Sequence, residues 1–332
     1  MPSPACSRCR ASKSRWCAIA RNTPVREGLS QSDLSTAFLY TNRVSRHEQR
    51  RLYIVATLLF LSVASWLPEI SLGSWFEADC NCLQVSFLDV GQGDAILIET
   101  PGGKQALVDG GLDTAVLRQL GKELGFFDRT LDLVVATHPD ADHVGGLVSV
   151  FKRYQVASIL ETNNGKESPA AAAYTAAAKG EGASITDANG GQLIELGEGV
   201  SLRILSPNGD ESNWESNTAS IVMRLEYGST SVMLTGDAPA EIEAYLVETY
   251  PQYLKSDILK LGHHGSKTST SQAFLDAVAP QYAIVSAAVG NRYGHPHQEV
   301  MQRVFGRKVQ SLHTGTDGTV TFYSDGKTIW RK

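Results

Sequence analysis

The chain of 332 residues has few cysteines, few prolines and no excess of basic residues. Its five unevenly placed cysteines are too few for a disulfide framework. Thirty basic against 35 acidic residues give a net charge of −5, which argues against a protein that holds nucleic acid by bulk positive charge. An enzyme that contacts nucleic acid locally, with help from metal ions, is not excluded. With 42% hydrophobic and 20% charged residues, the composition is globular rather than fibrous or wholly disordered.

The N-terminal part differs from the rest of the sequence. Residues 1–51 are rich in arginine and lack apolar periodicity, so we expect a basic, disordered tail. An uncharged apolar run begins at residue 52 and, continued to residue 72, is long enough for a membrane-spanning helix. We interpret residues 52–72 as a signal anchor, with a buried core helix as the alternative. Arginines before this run predict an extracytoplasmic domain after it, secreted if the signal is cleaved.

From residue 83 to residue 332 the pattern changes to short apolar strands bounded by glycine turns, with helices between them. The predicted strands cover residues 83–89, 95–100, 104–109, 131–136, 192–196, 201–205, 220–227, 231–234, 258–261, 282–286, 309–313 and 319–323. The predicted helices cover residues 114–125, 141–154, 168–179, 238–249, 271–278 and 298–305. Many strands with helices to cover their faces predict one layered α/β or α+β sandwich domain over residues 83–332.

Metal-ligand residue types cluster directly after one predicted strand, at His138, Asp140, Asp142 and His143. A strand end is a rigid platform, and alternate residues of an extended loop can point at one spot. Four such groups so close together would repel one another unless a cation neutralised them. Capping of the following helix would explain only one of the two aspartates. The pattern therefore predicts metal binding.

Two later strands end in further candidates. Asp237 follows a buried strand, where an isolated carboxylate is costly unless it is paired or binds a metal. The pair His263 and His264 follows another strand, and together with the first cluster these residues complete a coordination set in which a carboxylate could bridge two ions. Lys260 and Lys267 bracket the histidine pair. They could hold a phosphate oxygen or be solvated surface lysines.

These residues and the turns around them resemble the metallo-β-lactamase superfamily, and within it the hydrolase domain at the C-terminal end of ComEC-type DNA-uptake proteins. The resemblance covers residues 84–330. The matching motifs are Phe87–Ala95, Val108–Gly111, His138–His143, Asn217–Ser220, Leu234–Asp237, Gly262–Ser266 and Tyr293–Pro296. The resemblance implies an α+β, four-layer αββα sandwich with the metal site at one edge of the paired sheets. The channel helices of that family have no counterpart here, so a channel role is not implied and any DNA-uptake channel would be a separate partner.

The resemblance also implies two metal ions that share one carboxylate. The ligands of one ion would be Asp142, His143, Asp237 and one of His263 or His264. The ligands of the other would be His138, Asp140 and the bridging Asp237.

Supporting roles and departures follow from the same resemblance. Asp109 would orient a ligand without touching the ion, and Asn217 and Ser220 would support the site or serve only as turn residues. No histidine occurs between His143 and His263, so the usual third-motif histidine is missing. We therefore expect one well-bound and one weak ion, with Mn²⁺ and Zn²⁺ as the first candidates and Mg²⁺ as a further one. Compared with an all-histidine site, a site rich in oxygen ligands is harder, which favours Mn²⁺ or Mg²⁺ over Zn²⁺.

The predicted function is that of a metal-dependent hydrolase. A divalent ion lowers the pKa of bound water toward ~7, and the substrate would be a phosphodiester, single-stranded DNA among the candidates. The catalytic candidates are Asp142, His263, His264 and Lys260, and whichever histidine is not a ligand could protonate the leaving group. Two alternatives stay open: another ester or lactone hydrolase, since one fold hosts many chemistries, or a catalytically weak module that binds nucleic acid or the cell envelope.

Overall fold

The computed structural model describes residues 50–58, 81–125 and 127–332. The predicted basic tail, except for its last two residues, and the larger part of the predicted anchor, residues 59–72, lie outside these residues, so both stay predictions. Among the residues described, no helix is both long enough and apolar enough to span a bilayer. The chain divides into two compact units, Met1–Phe76 and Glu77–Lys332, and the elements below belong to the second.

Fifteen strands and eight α-helices build the described part of that unit. The strands are β1 Leu83–Phe87, β2 Ile96–Glu99, β3 Gln105–Val108, β4 Thr130–Ala136, β5 Gln155–Glu161, β6 Ser184–Asp187, β7 Leu193–Gly197, β8 Val200–Ser206, β9 Val222–Tyr227, β10 Thr230–Leu234, β11 Ile258–Lys260, β12 Tyr282–Val285, β13 Gln310–His313, β14 Val320–Ser324 and β15 Ile329–Arg331. The α-helices are α1 Ala115–Glu123, α2 Ala141–Val144, α3 Leu147–Val150, α4 Pro169–Glu181, α5 Ala240–Thr249, α6 Gln272–Val278, α7 Gln298–Gly306 and α8 Thr314–Asp317. Two short 3₁₀ helices cover Pro251–Tyr253 and Gly262–Gly265.

The strands form two sheets. The first has eight strands in the order β15-β14-β1-β2-β3-β4-β5-β6, and the second has seven in the order β13-β12-β11-β10-β9-β8-β7. Strands β3 to β6 pair in parallel, and so do β10 to β13, whereas the remaining neighbours are antiparallel. Each sheet therefore has a parallel half whose strands end at a common edge.

The alternating apolar residues of these strands explain the layers. In β1, Leu83, Val85 and Phe87 are buried in a central core that the inner faces of both sheets share. A second core joins the outer face of the first sheet to α1, α3 and α4, and a third joins the outer face of the second sheet to α5, α6 and α7. Full burial of one such apolar side chain contributes about 1.5–3 kcal/mol. The predicted α+β sandwich of two sheets, covered by helices on both sides, is confirmed.

One predicted helix is interrupted, and three strands, β5, β6 and β15, were not predicted. The helix expected over residues 141–154 consists of α2 and α3, separated by Gly145 and Gly146. A Cβ atom on Gly146 would lie 1.9 Å from the carbonyl oxygen of Gly110, so the chain approaches the β3 turn there more closely than a side chain permits. Strands β5 and β6 extend the first sheet at one end and β15 at the other, where the sequence pattern predicted no strand.

Candidate metal centre

Four strand ends meet at one edge of the sandwich and carry the candidate site. Asp109 follows β3 directly, and His138 lies two residues after β4, which pairs with β3 in parallel. Asp237 and the pair His263–His264 follow β10 and β11, which also pair in parallel. Parallel strands that end together bring the loops after them to one place, as is typical of ligand sites in such sheets.

Four imidazole rings direct their Nε2 atoms at the carboxylate of Asp237. The Nε2 atom lies 3.3 Å from an Asp237 oxygen in His143, 3.5 Å in His264, 3.7 Å in His263 and 3.8 Å in His138. The Nε2 atoms of the three buried rings and Asp237 Oδ1 are buried and make no hydrogen bond within the part of the chain that the structure describes. Because buried polar atoms without a partner are costly, this arrangement fits a cation held between them.

Asp109 fixes the orientation of His143 from behind. Its carboxylate is fully buried and accepts hydrogen bonds from the Thr137 backbone N–H at 2.8 Å, from the Thr137 hydroxyl at 2.7 Å and from His143 Nδ1 at 2.8 Å. His143 therefore carries its proton on Nδ1 and presents the lone pair of Nε2. The same hydroxyl lies 3.0 Å from His138 Nδ1 and can accept its proton, which leaves the Nε2 of that ring free as well.

The histidine pair occupies a turn in the left-handed region. The φ angles of His263 and His264 are 49° and 57°, a conformation that costs about 1 kcal/mol or more for a side chain with a Cβ atom. His264 is buried, with Nε2 3.4 Å from Asp142 Oδ2 and Nδ1 3.5 Å from Asp94 Oδ1. The side chain of His263 is 26% exposed, and its Nδ1 lies 3.2 Å from the Thr268 hydroxyl. The two rings thus have different places: His264 lies inside the cluster and His263 on its open side.

Asp94 belongs to the cluster, although it was not among the residues predicted from the sequence. The ligand-type atoms of Asp94, His143, Asp237 and His264 all lie within 4.8 Å of one another. Asp94 Oδ2 is 2.5 Å from Lys260 Nζ, and the two side chains are 2% and 0% exposed. The interpretation of Lys260 as a surface lysine is therefore wrong. Because its ammonium is buried against Asp94, its predicted role as a catalytic residue that binds phosphate is corrected to that of a buried partner of Asp94.

The two aspartates between His138 and His143 lie at the open side. Asp140 Oδ1 accepts from Lys166 Nζ at 2.6 Å and from the Ser216 hydroxyl. Asp142 is one quarter exposed and reaches the cluster through His264. Neither belongs to the four residues whose ligand atoms converge within the described part of the chain.

The remaining predicted residues act through the backbone or lie outside the cluster. The Ser220 hydroxyl accepts the backbone N–H of Asp237 at 3.2 Å, which fixes the turn that carries this carboxylate. Asn217 contributes its backbone carbonyl, which accepts the N–H of Ser220 at 3.1 Å. Lys267 is exposed, and its backbone N–H donates to His297 Nδ1 at 3.1 Å.

The charges in the cluster reinforce one another. Burial alone would raise the pKa of Asp94, but Lys260 and His264 lower it to about 2. Burial alone would lower the pKa of His264, but Asp237 and the other nearby carboxylates raise it to about 9. Burial and a neighbouring imidazole lower the pKa of His138 to about 4, so this ring is neutral. The carboxylates that hold a proton on His143 and His264 would attract a divalent cation in its place, because metal binding releases protons from its ligands.

Comparisons with known proteins agree with this geometry. The sequence model of the metallo-beta-lactamase superfamily matches residues 88–289. ComE operon protein 3 of Bacillus subtilis (strain 168) is 30% identical over 256 residues, which cover 72% of this chain and 33% of that protein. Competence protein ComA of Neisseria gonorrhoeae is 32% identical over 268 residues, which cover 80% of this chain and 35% of that protein. This chain thus spans about a third of the length of these curated relatives. The metallo hydrolase Igni18 of Ignicoccus hospitalis aligns with 72% of this chain and 98% of its own, at 16% identity and a TM-score of 0.49.

Proposed function

Because this chain belongs to the metallo-beta-lactamase superfamily, whose fold is that of metal-dependent hydrolases, we propose that it hydrolyses phosphodiester bonds and acts on DNA or a similar substrate. The observation that carries this proposal is the convergence of four imidazole Nε2 atoms on the carboxylate of Asp237. A divalent ion held in this place would supply an activated water at neutral pH and a positive charge for a phosphoryl oxygen.

The buried residues hold and orient the ion. His143, His264 and Asp237 would be its ligands, since their ligating atoms are buried and close together. Asp109 keeps His143 in the tautomer that presents Nε2, and Asp94 lies on the far nitrogen of His264. Mn²⁺ and Zn²⁺ are the ions we propose first, because the set combines imidazole nitrogen with carboxylate oxygen.

His263 is the residue that we propose as the proton carrier. It lies on the open side of the cluster, where a substrate can reach it. Burial lowers its pKa, and although Asp237 opposes this, the neighbouring His264 acts in the same direction as burial, so the neutral form of the ring is favoured. A proton accepted at Nε2 can then be donated to the leaving oxygen.

The exposed cations around the open side favour a phosphodiester over a neutral ester. Lys166 contacts Asp140, Arg292 lines the same cavity as Asp142, and Lys267 lies in the loop after the histidine pair. Such cations neutralise phosphate oxygens, whereas a lactone needs no such neutralisation. Ester or lactone hydrolysis therefore remains the second candidate function, and binding without turnover the third.

The names of the relatives suggest a biological process for this chain. One is named as a competence protein and another as a ComE operon protein, and both are about three times as long as the aligned region. We propose that this chain serves DNA uptake together with a separate channel protein. The predicted anchor over residues 52–72 would hold it at the membrane.

The experiment is a turnover assay of the full-length chain with Mn²⁺, Zn²⁺ or Mg²⁺. The substrates are bis-p-nitrophenyl phosphate, single-stranded DNA and a lactone. Asp237→Asn is the test variant, and Asp210→Asn, at an exposed aspartate, is its matched control. Metal-dependent diester cleavage that only Asp237→Asn abolishes supports the proposal. Turnover of the lactone alone supports the second function, and DNA binding without any turnover supports the third.

A further inference from the structure

A cavity of about 380 Å³ opens beside Asp142, next to the converging ligand atoms. Its walls are largely apolar and include Leu112, Ala141 and Ala288, and its polar groups include Gln92 and Arg292. An apolar pocket with a few convergent polar groups is the usual form of a small-molecule site. A substrate bound at the candidate metal centre would extend into it.

The amide of Gln92 is available for a ligand. Both Nε2 and Oε1 are buried without a hydrogen-bond partner in the described part of the chain, which is unusual for a primary amide. The turn that carries it is pressed against the site, because a Cβ atom on Gly93, at φ +101°, would lie 1.8 Å from the carbonyl oxygen of Asp142. Gln92, which lines the cavity, therefore has an adjacent donor and acceptor that no described group of the protein uses.

A cation in a well-ordered loop also lines the cavity. The guanidinium of Arg292 is exposed and lies 4.7 Å from the ring centroid of Tyr293. One side chain fixes this loop: Asn291 Oδ1 accepts the N–H groups of Tyr293 and His295 at 3.1 Å each, and its Nδ2 donates to the carbonyls of Ala288 at 2.9 Å and His295 at 2.6 Å. A guanidinium held in this way suits a phosphate oxygen.

We propose that this cavity is a subsite for a nucleobase. The proposal rests on the phosphodiesterase function proposed above and adds that Gln92 recognises the base. A primary amide can pair twice with a base edge that offers a neighbouring donor and acceptor. Leu112 and Ala288 contact the faces of the ring, and Arg292 neutralises the adjoining phosphate.

The test compares two diesters that share a leaving group. Thymidine 5′-(p-nitrophenyl phosphate) carries a base, and methyl p-nitrophenyl phosphate does not. We expect Gln92→Ala to raise KM for the thymidine substrate about tenfold, as the loss of two hydrogen bonds predicts, and to change KM for the methyl substrate about twofold or less. Arg292→Ala, at an exposed position, raises KM for both substrates. Gln302→Ala, at an exposed glutamine of α7, is the matched control and changes neither.

Equal effects of Gln92→Ala on the two diesters, or no effect on either, would overturn the subsite. If neither diester is hydrolysed, the proposed function fails, and the subsite is decided by binding instead. Saturation-transfer NMR with thymidine 5′-monophosphate should then show transfer to the base protons in the wild-type protein and loss of that transfer in Gln92→Ala. Absence of transfer in the wild-type protein, or equal transfer in both, would overturn it.

Discussion

Replacement of Lys260 by methionine should destabilise the protein strongly although it keeps the aliphatic stem of the side chain. The side chain is 0% exposed and its ammonium lies 2.5 Å from Asp94 Oδ2, so its loss leaves a buried carboxylate without its nearest counter-charge. Removal of one partner of a buried pair costs about 3–5 kcal/mol. Since the free energy of unfolding of a native protein is about 5–15 kcal/mol, such a loss is a large fraction of the total stability.

The assay is urea unfolding of the metal-free full-length chain, with Lys255→Met at an exposed lysine as the control. The double variant Asp94→Asn/Lys260→Met removes both charges and should recover most of the stability that Lys260→Met loses. The coupling between the two positions is then about 2 kcal/mol or more. Two results would refute the assignment of a buried ion pair that keeps Asp94 ionised. One is a decrease of less than about 1 kcal/mol in the free energy of unfolding for Lys260→Met, and the other is a double variant that is no more stable than Lys260→Met.

Three further predictions concern other positions. Burial and two neighbouring carboxylates raise the pKa of Glu99 to about 7, so the folded state binds the Glu99 proton more tightly than the unfolded chain does. Protonation of Glu99 therefore stabilises the folded state at low pH, and this stabilisation is lost as the pH rises from about 4.5 to about 7. Glu99→Gln should therefore stabilise the protein by about 1 kcal/mol at pH 8 and little at pH 4.5 in urea unfolding, whereas the exposed Glu248→Gln should show no such difference between the two pH values. Asp109→Asn should weaken metal binding about 10–100-fold in a chelator competition, because an amide no longer holds His143 in the required tautomer; unchanged affinity would contradict this. Gly93→Ala should lower both thermal stability and metal affinity, because its methyl group would overlap a backbone carbonyl; a variant with wild-type melting temperature would show that the turn does not need this approach.

Local pattern predicted most of the fold but not the ends of the first sheet. The alternation in Leu83–Phe87 predicted β1, because its apolar residues lie on one face. In Ser184–Asp187 every side chain is exposed, so no alternation marks β6 as a strand. The break at Gly146 arises from contact with Gly110, which helical periodicity in one segment cannot reveal.

The candidate site was predictable where its residues are close in sequence. His138 and His143 stand in one short motif, and the buried strand before Asp237 marked that carboxylate. Asp94 was not predicted as a site residue because its place in the cluster depends on its ion pair with Lys260, which is distant in sequence. Lys260 itself could have indicated such a partner, because it stands between the buried residues Leu259 and Leu261 and a buried lysine requires an opposite charge.

The most direct test of the metal centre is the metal content of the purified full-length protein. Elemental analysis after equilibration with Mn²⁺ or Zn²⁺ and dialysis should find at least one tightly bound ion per wild-type chain. Asp237→Asn should lose this ion, since all four imidazole Nε2 atoms face that carboxylate, whereas Asp210→Asn should retain it. A wild-type protein that binds neither ion, or an Asp237→Asn variant with unchanged metal content, would contradict the assignment.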